Sequence, residues 1–364
     1  MSLEVSGVRN LAEQKIVFEP GFNLLSGGNG QGKSSVLEAI YLLGTTRSFR
    51  TSRLSEVVKI GSEAARVAGT GEAPGEHLAL MVAGKTRSYL RHGKEVSAAG
   101  YIGAMDVVAL SSDIVQRFRQ APSERRRFLD RMTLATDARY IEDLRAFRRA
   151  AAHRGLLVAE GRNGPERDAW DERAAALAVT VARRRAEMAL VLESHLRDAP
   201  ERVFPEGRGA LVRFISRPTI DLAAPEGPEA YRRRLQEMFS RQQRAGGGRP
   251  SPAGPAWDDL AIEIEGRNLL RLGSSGQMRS LLTAATLGEM KRLQERKRRF
   301  PVLVLDDVES DLDEDRYGAL LAELGGGPQV FAATSKPRLT HPMLGQKGPG
   351  SGRYVVRAGV VAAA

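Results

Sequence analysis

Residues 27 to 34 read Gly27-Gly28-Asn29-Gly30-Gln31-Gly32-Lys33-Ser34 and fit the pattern G-x-x-x-x-G-K-[ST]. The apolar run 21–26 before them favours a strand, and the amphipathic run 35–43 after them favours a helix. Glycines let such a loop turn tightly and bring successive N–H groups close to phosphate oxygens. The context predicts a phosphate-binding loop. The alternative is a glycine-rich turn that happens to carry a Lys-Ser pair.

The loop residues take distinct roles in this prediction. The helix N-terminus would face the anion, Lys33 would reach the β- and γ-phosphates and support catalysis, and the Ser34 hydroxyl would bind Mg²⁺. The predicted nucleotide-binding residues at the loop are Gly27, Gly28, Asn29, Gly30, Gln31, Gly32, Lys33, Ser34 and Ser35.

Composition limits the classes of protein to consider. The 364 residues suggest roughly two domains, and the absence of cysteine excludes disulfides, thiolate metal sites and a cysteine nucleophile. The formal net charge of +11 suits an anionic partner, although codon usage in a high-GC genome would also raise the arginine content. The sequence shows neither a signal peptide nor an apolar run of membrane-spanning length, so we expect a cytoplasmic protein with no membrane partner.

The order of segments predicts an α/β nucleotide-binding lobe interrupted by a helical lobe. We place the first lobe at residues 1–121 plus 255–364, and the mainly helical lobe at residues 122–254, with a Gly- and Pro-rich loop before residue 255. In the helical lobe we expect helices from Ser123 to about Leu156, from about Trp170 to His195 and from Tyr231 to Arg244. The small residues near the C-terminus, 345–352 and 362–364, are expected to be loosely ordered.

Three arginine clusters lie in the helical lobe, at residues 125–127, 183–185 and 232–234. Consecutive residues on a helix point about 100° apart, so part of each cluster must be ordinary solvated surface. We nevertheless expect at least one cluster to contact DNA phosphate.

A second group of residues would complete the site. An apolar strand, 300–305, ends in Asp306 and Asp307, where Asp306 would hold the metal and Asp307 would orient the attacking water. An apolar strand followed by a polar turn is the alternative. Upstream, a serine- and glycine-rich turn opens a helix and forms another anion nest, which would contact the γ-phosphate bound to a partner subunit; its residues are Ser274, Ser275, Gly276 and Gln277.

These motifs resemble those of ABC-type ATPase heads in SMC proteins and DNA double-strand-break repair ATPases, and within that group those of the bacterial RecF family. The resemblance covers almost the whole chain. Beyond the phosphate loop, it is carried by residues 37–41, 47–51, 122–130, 273–277 and 305–313. It implies an SMC-like head with an inserted helical second lobe, ATP and Mg²⁺ as cofactors, and Ser274, Gly276 and Gln277 as the signature motif of the partner subunit.

The resemblance also implies roles for other positions. Ser310–Asp313 would communicate across the dimer, and Thr334 would replace a switch histidine, which fits slow hydrolysis. The lid glutamine would be Gln116 or Gln120. The sequence departs from the family at residues 254–259, where Ala256 and Trp257 replace a His-Arg pair.

The expected function is an ATP-switched DNA-binding repair protein, active in recombination and replication. Two copies would close on ATP around single-stranded, duplex or junction DNA without sequence preference, and slow, DNA-stimulated hydrolysis would release it. The resemblance implies RecR and RecO as partners, and RecA indirectly. Alternatives are an SMC-like DNA tether, which the lack of a long heptad arm disfavours, and a P-loop kinase or motor.

Overall fold

The computed structural model describes residues 1–70, 76–244, 253–306, 314–335 and 350–364. The chain forms two compact units. The first comprises Met1–Arg117, His195–Arg208 and Gly273–Ala364, and the second comprises Phe118–Ser194 and Gly209–Leu272. None of the described helices is long and apolar enough to cross a membrane.

Strands and helices are numbered in chain order. The strands are β1 (Ser2–Ser6), β2 (Gln14–Val17), β3 (Phe22–Ser26), β4 (Ala65–Thr70), β5 (His77–Ala83), β6 (Thr86–Arg91), β7 (Lys94–Glu95), β8 (Val107–Ser111), β9 (Ala210–Ile215), β10 (Asp259–Ile264), β11 (Arg267–Asn268), β12 (Val302–Asp306), β13 (Val330–Thr334), β14 (Gly352–Arg357) and β15 (Val360–Ala363). The helices are α1 (Lys33–Thr45), α2 (Ala98–Tyr101), α3 (Ser112–Gln120), α4 (Pro122–Thr136), α5 (Tyr140–Ala159), α6 (Pro165–Arg197), α7 (Gly227–Arg244), α8 (Leu269–Leu272), α9 (Ser275–Lys297) and α10 (Glu314–Leu324).

Two sheets and helix α1 form the core of the first unit. One sheet is antiparallel, in the order β2-β1-β4-β5-β6-β7, and the other has the order β15-β14-β3-β13-β12-β8. The second sheet is parallel except for the pair β14 and β15. Helix α1 packs against β4 and β5 of one sheet and against β8, β12 and β13 of the other. It is therefore buried on nearly every side, rather than on one face as expected for an amphipathic helix, because residues 36–43 are apolar except for Glu38.

The parallel strands bring the ends of three segments to one edge of the sheet. Strands β12 and β13 are buried along their whole length, which explains their unbroken apolar runs. Because β3, β13 and β12 are adjacent and parallel, Ser26, Thr334 and Asp306 all lie at the carboxyl edge of the sheet. This edge is where ligands bind in open α/β sheets.

The second unit combines a small sheet with long helices. Its sheet has the order β11-β10-β9, and α4 packs on β10. Helices α5, α6 and α7 share a core in which small alanines surround a few aromatic and aliphatic side chains; its buried members include Ala150, Ala174, Ala175, Ala178, Ala182, Tyr231, Leu235 and Phe239. Alanine lets helix axes approach closely, so this core is dense although few of its residues are large.

Buried ion pairs join the elements of the second unit. Arg185 of α6 donates to both carboxylate oxygens of Asp130, at 2.8 and 3.1 Å, and lies 3.3 Å from Asp258. Arg125 of α4 makes a two-pronged contact with Asp259, at 2.6 and 2.9 Å. One arginine from each of two clusters is thus internal and holds α4, α6 and β10 together. The sequence does not reveal this, because the partner acids lie far away in the chain.

Two expectations about local structure are wrong. The helix expected from Ser123 to Leu156 is two helices, because Asp137 has an extended backbone, with φ −139° and ψ 95°, between α4 and α5. The C-terminal alanines are ordered: Ala362 and Ala363 pair with Val355 and Tyr354 in the hairpin β14–β15. Residues 345–349 lie outside the described residues.

The unit boundaries also differ from those of the predicted lobes. Residues 259–264 pair with β9 and so belong to the second unit rather than the first. Residues 195–208 belong to the first unit, where His195 lies so close to Gly288 of α9 that a Cβ there would approach its ring to 2.3 Å.

Candidate nucleotide-binding site

The predicted phosphate loop joins the end of β3 to the start of α1. Gly27 has a φ of 151°, and a Cβ at this position would lie 2.4 Å from the carbonyl oxygen of Val356, so only glycine fits. The first turn of α1 carries no acidic side chain. Its free N–H groups and the positive end of its dipole therefore favour an anion at the loop.

Lys33, Ser34 and Asp306 meet beside this loop. The Lys33 ammonium group is buried and donates to the carbonyl oxygens of Gly27 and Gly28, at 2.8 and 3.0 Å. The Ser34 hydroxyl donates to Asp306 Oδ1 at 3.0 Å. A hydroxyl and a carboxylate are oxygen ligands that suit Mg²⁺, and this pair fits a metal held next to the phosphates.

A cavity of about 530 Å³ opens over the loop. Six of the predicted binding residues line it: Asn29, Gly30, Gly32, Lys33, Ser34 and Ser35. Asn10, which the sequence did not single out, also lines the cavity, donates to the Gly30 carbonyl at 2.9 Å and accepts from the Ser35 hydroxyl at 2.8 Å. Asn10 therefore ties the loop to the first turn of α1.

A buried carboxylate orders two arginines at the rim of the cavity. Glu38 of α1 is fully buried and accepts from Arg9 at 2.8 and 2.9 Å, from Arg50 at 3.5 Å and from the Ser48 hydroxyl. Its hydrogen bond with Arg9 raises the pKa of that guanidinium group. Arg9 and Arg50 both line the cavity, so Glu38 sets where two positive charges lie.

The fold and this site place the chain among known proteins. The RecF/RecN/SMC N terminal domain family matches residues 1–343. A protein named DNA replication and repair protein RecF from Anaeromyxobacter dehalogenans (strain 2CP-C) is 33% identical over 99% of this chain and 98% of its own length. The chain belongs to the RecF family. Another RecF, from Myxococcus xanthus (strain DK1622), is 32% identical over 92% of this chain and 90% of its own length.

Solved structures agree with membership of the RecF family. The structure of the recombination mediator protein RecF with ATP in the RecFOR pathway has a TM-score of 0.86 and 25% identity, covering 100% of this chain and 96% of that one. An Smc head domain from Pyrococcus furiosus, at 19% identity and a TM-score of 0.51, shares the fold. The predicted family and the predicted ABC-type, SMC-like α/β fold are both confirmed.

The serine-glycine turn of this RecF-family chain caps a helix. The Ser274 hydroxyl accepts from the Gln277 N–H at 3.1 Å, and the Gln277 side chain accepts from the Ser274 N–H at 2.9 Å, which is a complete capping box at the start of α9. Gln277 also donates to Glu206 at 3.3 Å. Ser274, Ser275, Gly276 and Gln277 do not line the cavity over the phosphate loop. They present the positive end of a long helix elsewhere on the first unit.

Other predicted positions are only partly described. Asp307 and residues 308–313 lie outside the described residues. Thr334 is fully buried at the end of β13, and Gln116 and Gln120 are exposed on α3 without lining the cavity. Trp257, one of the two residues interpreted as replacing a His-Arg pair, is half exposed, whereas its neighbour Asp258 is buried.

Besides Asn10, two functional features were missed by sequence reasoning. Glu38 stands alone among the apolar residues of α1, and such a charge in a buried helix indicates a specific partner. The second is a contact of Gln31, a predicted nucleotide-binding residue, whose side-chain oxygen accepts from the Ala358 N–H at 2.6 Å in the C-terminal hairpin. No signal in the sequence links residue 31 to residue 358.

Proposed function

We propose that this RecF-family chain is an ATP-dependent DNA-binding repair protein that acts as a recombination mediator. The observation that carries the proposal is the meeting of Ser34 and Asp306 beside the Lys33 ammonium at the phosphate loop. Lys33 would exchange its contacts with Gly27 and Gly28 for phosphate oxygens. Mg²⁺, when bound with ATP, would neutralise phosphate charge, with Ser34 and Asp306 as its protein ligands.

We place a second copy of the chain across the bound nucleotide. Ser274 and the following N–H groups of α9 form an exposed, positive helix start that suits a terminal phosphate and that does not serve the cavity of its own chain. Two copies related by a twofold axis would each supply this turn to the other, giving two composite sites. Asp307 would orient the water that attacks the γ-phosphate, and slow hydrolysis would open the dimer.

Helix α5 offers a surface for DNA in the second unit. Arg145, Arg148 and Arg149 lie on one exposed face of this helix and pair with no other side chain in the described part of the chain. The arginines of the predicted clusters are mostly engaged: Arg184 with Asp137 and Glu187, Arg232 with Glu229, Arg234 with Glu237. Unneutralised arginines over about 6 Å of helix can meet successive phosphates without reading bases.

Partners follow from the relatives. One similar structure is described as RecF in the RecFOR pathway, so we propose RecR and RecO as partners of this chain, and RecA indirectly. The DNA would be single-stranded, duplex or junction DNA in the cytoplasm, and its presence would stimulate a weak ATPase.

Molecular mass in solution with and without ATP tests the composite site. The wild type should become a dimer with ATP, whereas Lys33→Met should fail to bind ATP and Ser274→Arg should bind ATP but remain a monomer. Ser97→Arg is the matched control, because Ser97 is also an exposed helix cap, accepting from the Gly100 N–H at 3.1 Å, far from the proposed interface in sequence. If Ser274→Arg dimerises as readily as Ser97→Arg, the composite-site proposal is wrong.

A further inference from the structure

The C-terminal hairpin lies beside the phosphate loop. Strand β14 runs parallel to β3 and pairs with it through Tyr354 and Leu25, one residue before Ser26 ends the strand. The hairpin then turns at Ala358 and Gly359, which have φ angles of 47° and 82°. Two positive φ values are typical of a type I′ turn between two strands. The chain therefore brings its last residues to the loop that would bind ATP.

Two consecutive N–H groups of this turn donate hydrogen bonds to Gln31, in the middle of the phosphate loop. The Ala358 N–H donates to Gln31 Oε1 at 2.6 Å, and the Gly359 N–H donates to the Gln31 carbonyl oxygen at 2.9 Å. The contact fixes both the side chain and the backbone of a loop residue. Gln31 is thus directed toward the hairpin rather than toward the cavity.

The turn also packs closely against the segment after β1 and hydrogen-bonds to it. The Gly359 carbonyl oxygen accepts from the Ala12 N–H at 3.0 Å and from the Gln14 side chain at 2.6 Å. A Cβ on Gly359 would lie 2.1 Å from the carbonyl oxygen of Asn10, the residue that holds Gly30 and Ser35. Moving the turn would therefore disturb both Gln31, which the turn contacts directly, and Asn10, which holds Gly30 and Ser35.

We propose that the turn Ala358-Gly359 is a positioning element of the nucleotide site, acting on the phosphate loop through Gln31. The inference rests on the proposed binding of ATP at this loop. Without this support, the loop would spend a smaller fraction of the time in the conformation that binds phosphate. The apparent affinity for ATP is proportional to that fraction and would fall with it. Coupling is reciprocal, so ATP should also stabilise the hairpin.

Gln31→Met tests the side-chain contact, because methionine keeps the size of the side chain but cannot accept the Ala358 hydrogen bond in the same way. One neutral hydrogen bond corresponds to roughly a fivefold change in an equilibrium. We expect the Kd for MgATP to rise about fivefold. A residue that only stabilises the fold would lower the melting temperature and leave the Kd of the folded protein unchanged.

Gly359→Ala tests the turn, and the chain offers two matched controls. Gly93 and Gly266 follow His92 and Glu265 in hairpin turns with the same pair of positive φ angles, at 75° and 74°, but have open space where a Cβ would be. All three substitutions impose a similar backbone strain, and only Gly359→Ala also displaces Asn10. It should weaken MgATP binding about tenfold or more, whereas Gly93→Ala and Gly266→Ala should not change it.

Hydrogen exchange separates this inference from the proposed function. In the wild type, MgATP should slow exchange of the Ala358 and Gly359 amides and leave the turn at Gly93 unaffected. If the wild type binds no ATP, the proposed function fails. If it binds ATP, but Gln31→Met and Gly359→Ala bind as tightly as their controls and hairpin exchange does not respond, the positioning role is refuted.

Discussion

Replacing Asp258 with Asn tests whether the pKa of Asp258 is set mainly by its burial or by its attraction to Arg185. Asp258 is fully buried, and burial raises its pKa from 3.8 to about 6 although Arg185 lies 3.3 Å away. An acid with a raised pKa in the folded state binds its proton more tightly there than in the unfolded chain. The contribution of Asp258 to the free energy of unfolding is therefore complete below about pH 4 and is lost as the pH rises through about 6.

The size of this effect follows from the shift. Each pKa unit corresponds to about 1.4 kcal/mol, so the loss is roughly 3 kcal/mol in total, of which roughly 2 kcal/mol falls between about pH 4.5 and about pH 7.5. Asn has nearly the same shape and no charge, and its oxygen can still accept from the Arg217 N–H, which lies 3.3 Å from the Asp258 carboxylate. The difference in unfolding free energy, variant minus wild type, should therefore rise by roughly 2 kcal/mol over this pH range.

Urea unfolding followed by tryptophan fluorescence measures the difference. Both tryptophans of the chain, Trp170 and Trp257, lie in the second unit, so the signal reports on the unit that contains Asp258. Comparing variant with wild type at each pH cancels the titration of other groups. A difference that stays constant, or that falls as the pH rises, would mean that attraction by Arg185 outweighs burial and would refute the reasoning.

Three further predictions concern the nucleotide site and the DNA surface. Glu38→Gln removes the buried charge that orders Arg9 and should lower the unfolding free energy by about 2 kcal/mol, whereas the control Glu4→Gln, in a partly exposed pair with Lys15, should change it by less than about 1 kcal/mol in thermal unfolding. Asp306→Asn should leave ATP binding measurable in calorimetry but lower the affinity of the ATP-bound site for Mg²⁺ about tenfold to a hundredfold. Exchanging all three exposed arginines of α5, Arg145, Arg148 and Arg149, for Gln should remove about three phosphate contacts. In anisotropy titrations with duplex DNA, the slope of log K against log salt concentration should become less steep by about three. The same exchange at the ion-paired Arg232 and Arg234 should have little effect, and equal losses in both variants would contradict the α5 surface.

Local patterns predicted the parts of the site that local geometry determines. The phosphate loop requires a strand, glycines at fixed positions and a helix, all within about twenty consecutive residues, and each leaves a mark in the sequence. The position of Asp306 at the sheet edge was predicted for a similar reason, because an unbroken apolar run ends at it and a buried parallel strand must end at the same edge as β3.

Contacts between distant segments could not be predicted in this way. Whether an arginine is free or buried depends on where an acid lies in space: Arg125 and Arg185 resemble the surface arginines of α5 in sequence, but their partners are acids that the fold brings to them. The C-terminal alanines were misjudged likewise, because Ala362 and Ala363 are held by a partner strand rather than by their own propensity.

Mixing two defective variants tests most directly the claim that ATP is held between two copies of the chain. Lys33→Met retains an intact Ser274 turn, and Ser274→Arg retains an intact phosphate loop, so a heterodimer of the two contains one complete site. Neither variant alone should dimerise with MgATP, whereas their equimolar mixture should show a dimer mass in multi-angle light scattering. A mixture that stays monomeric while the wild type dimerises, or a single variant that dimerises alone, would contradict the account.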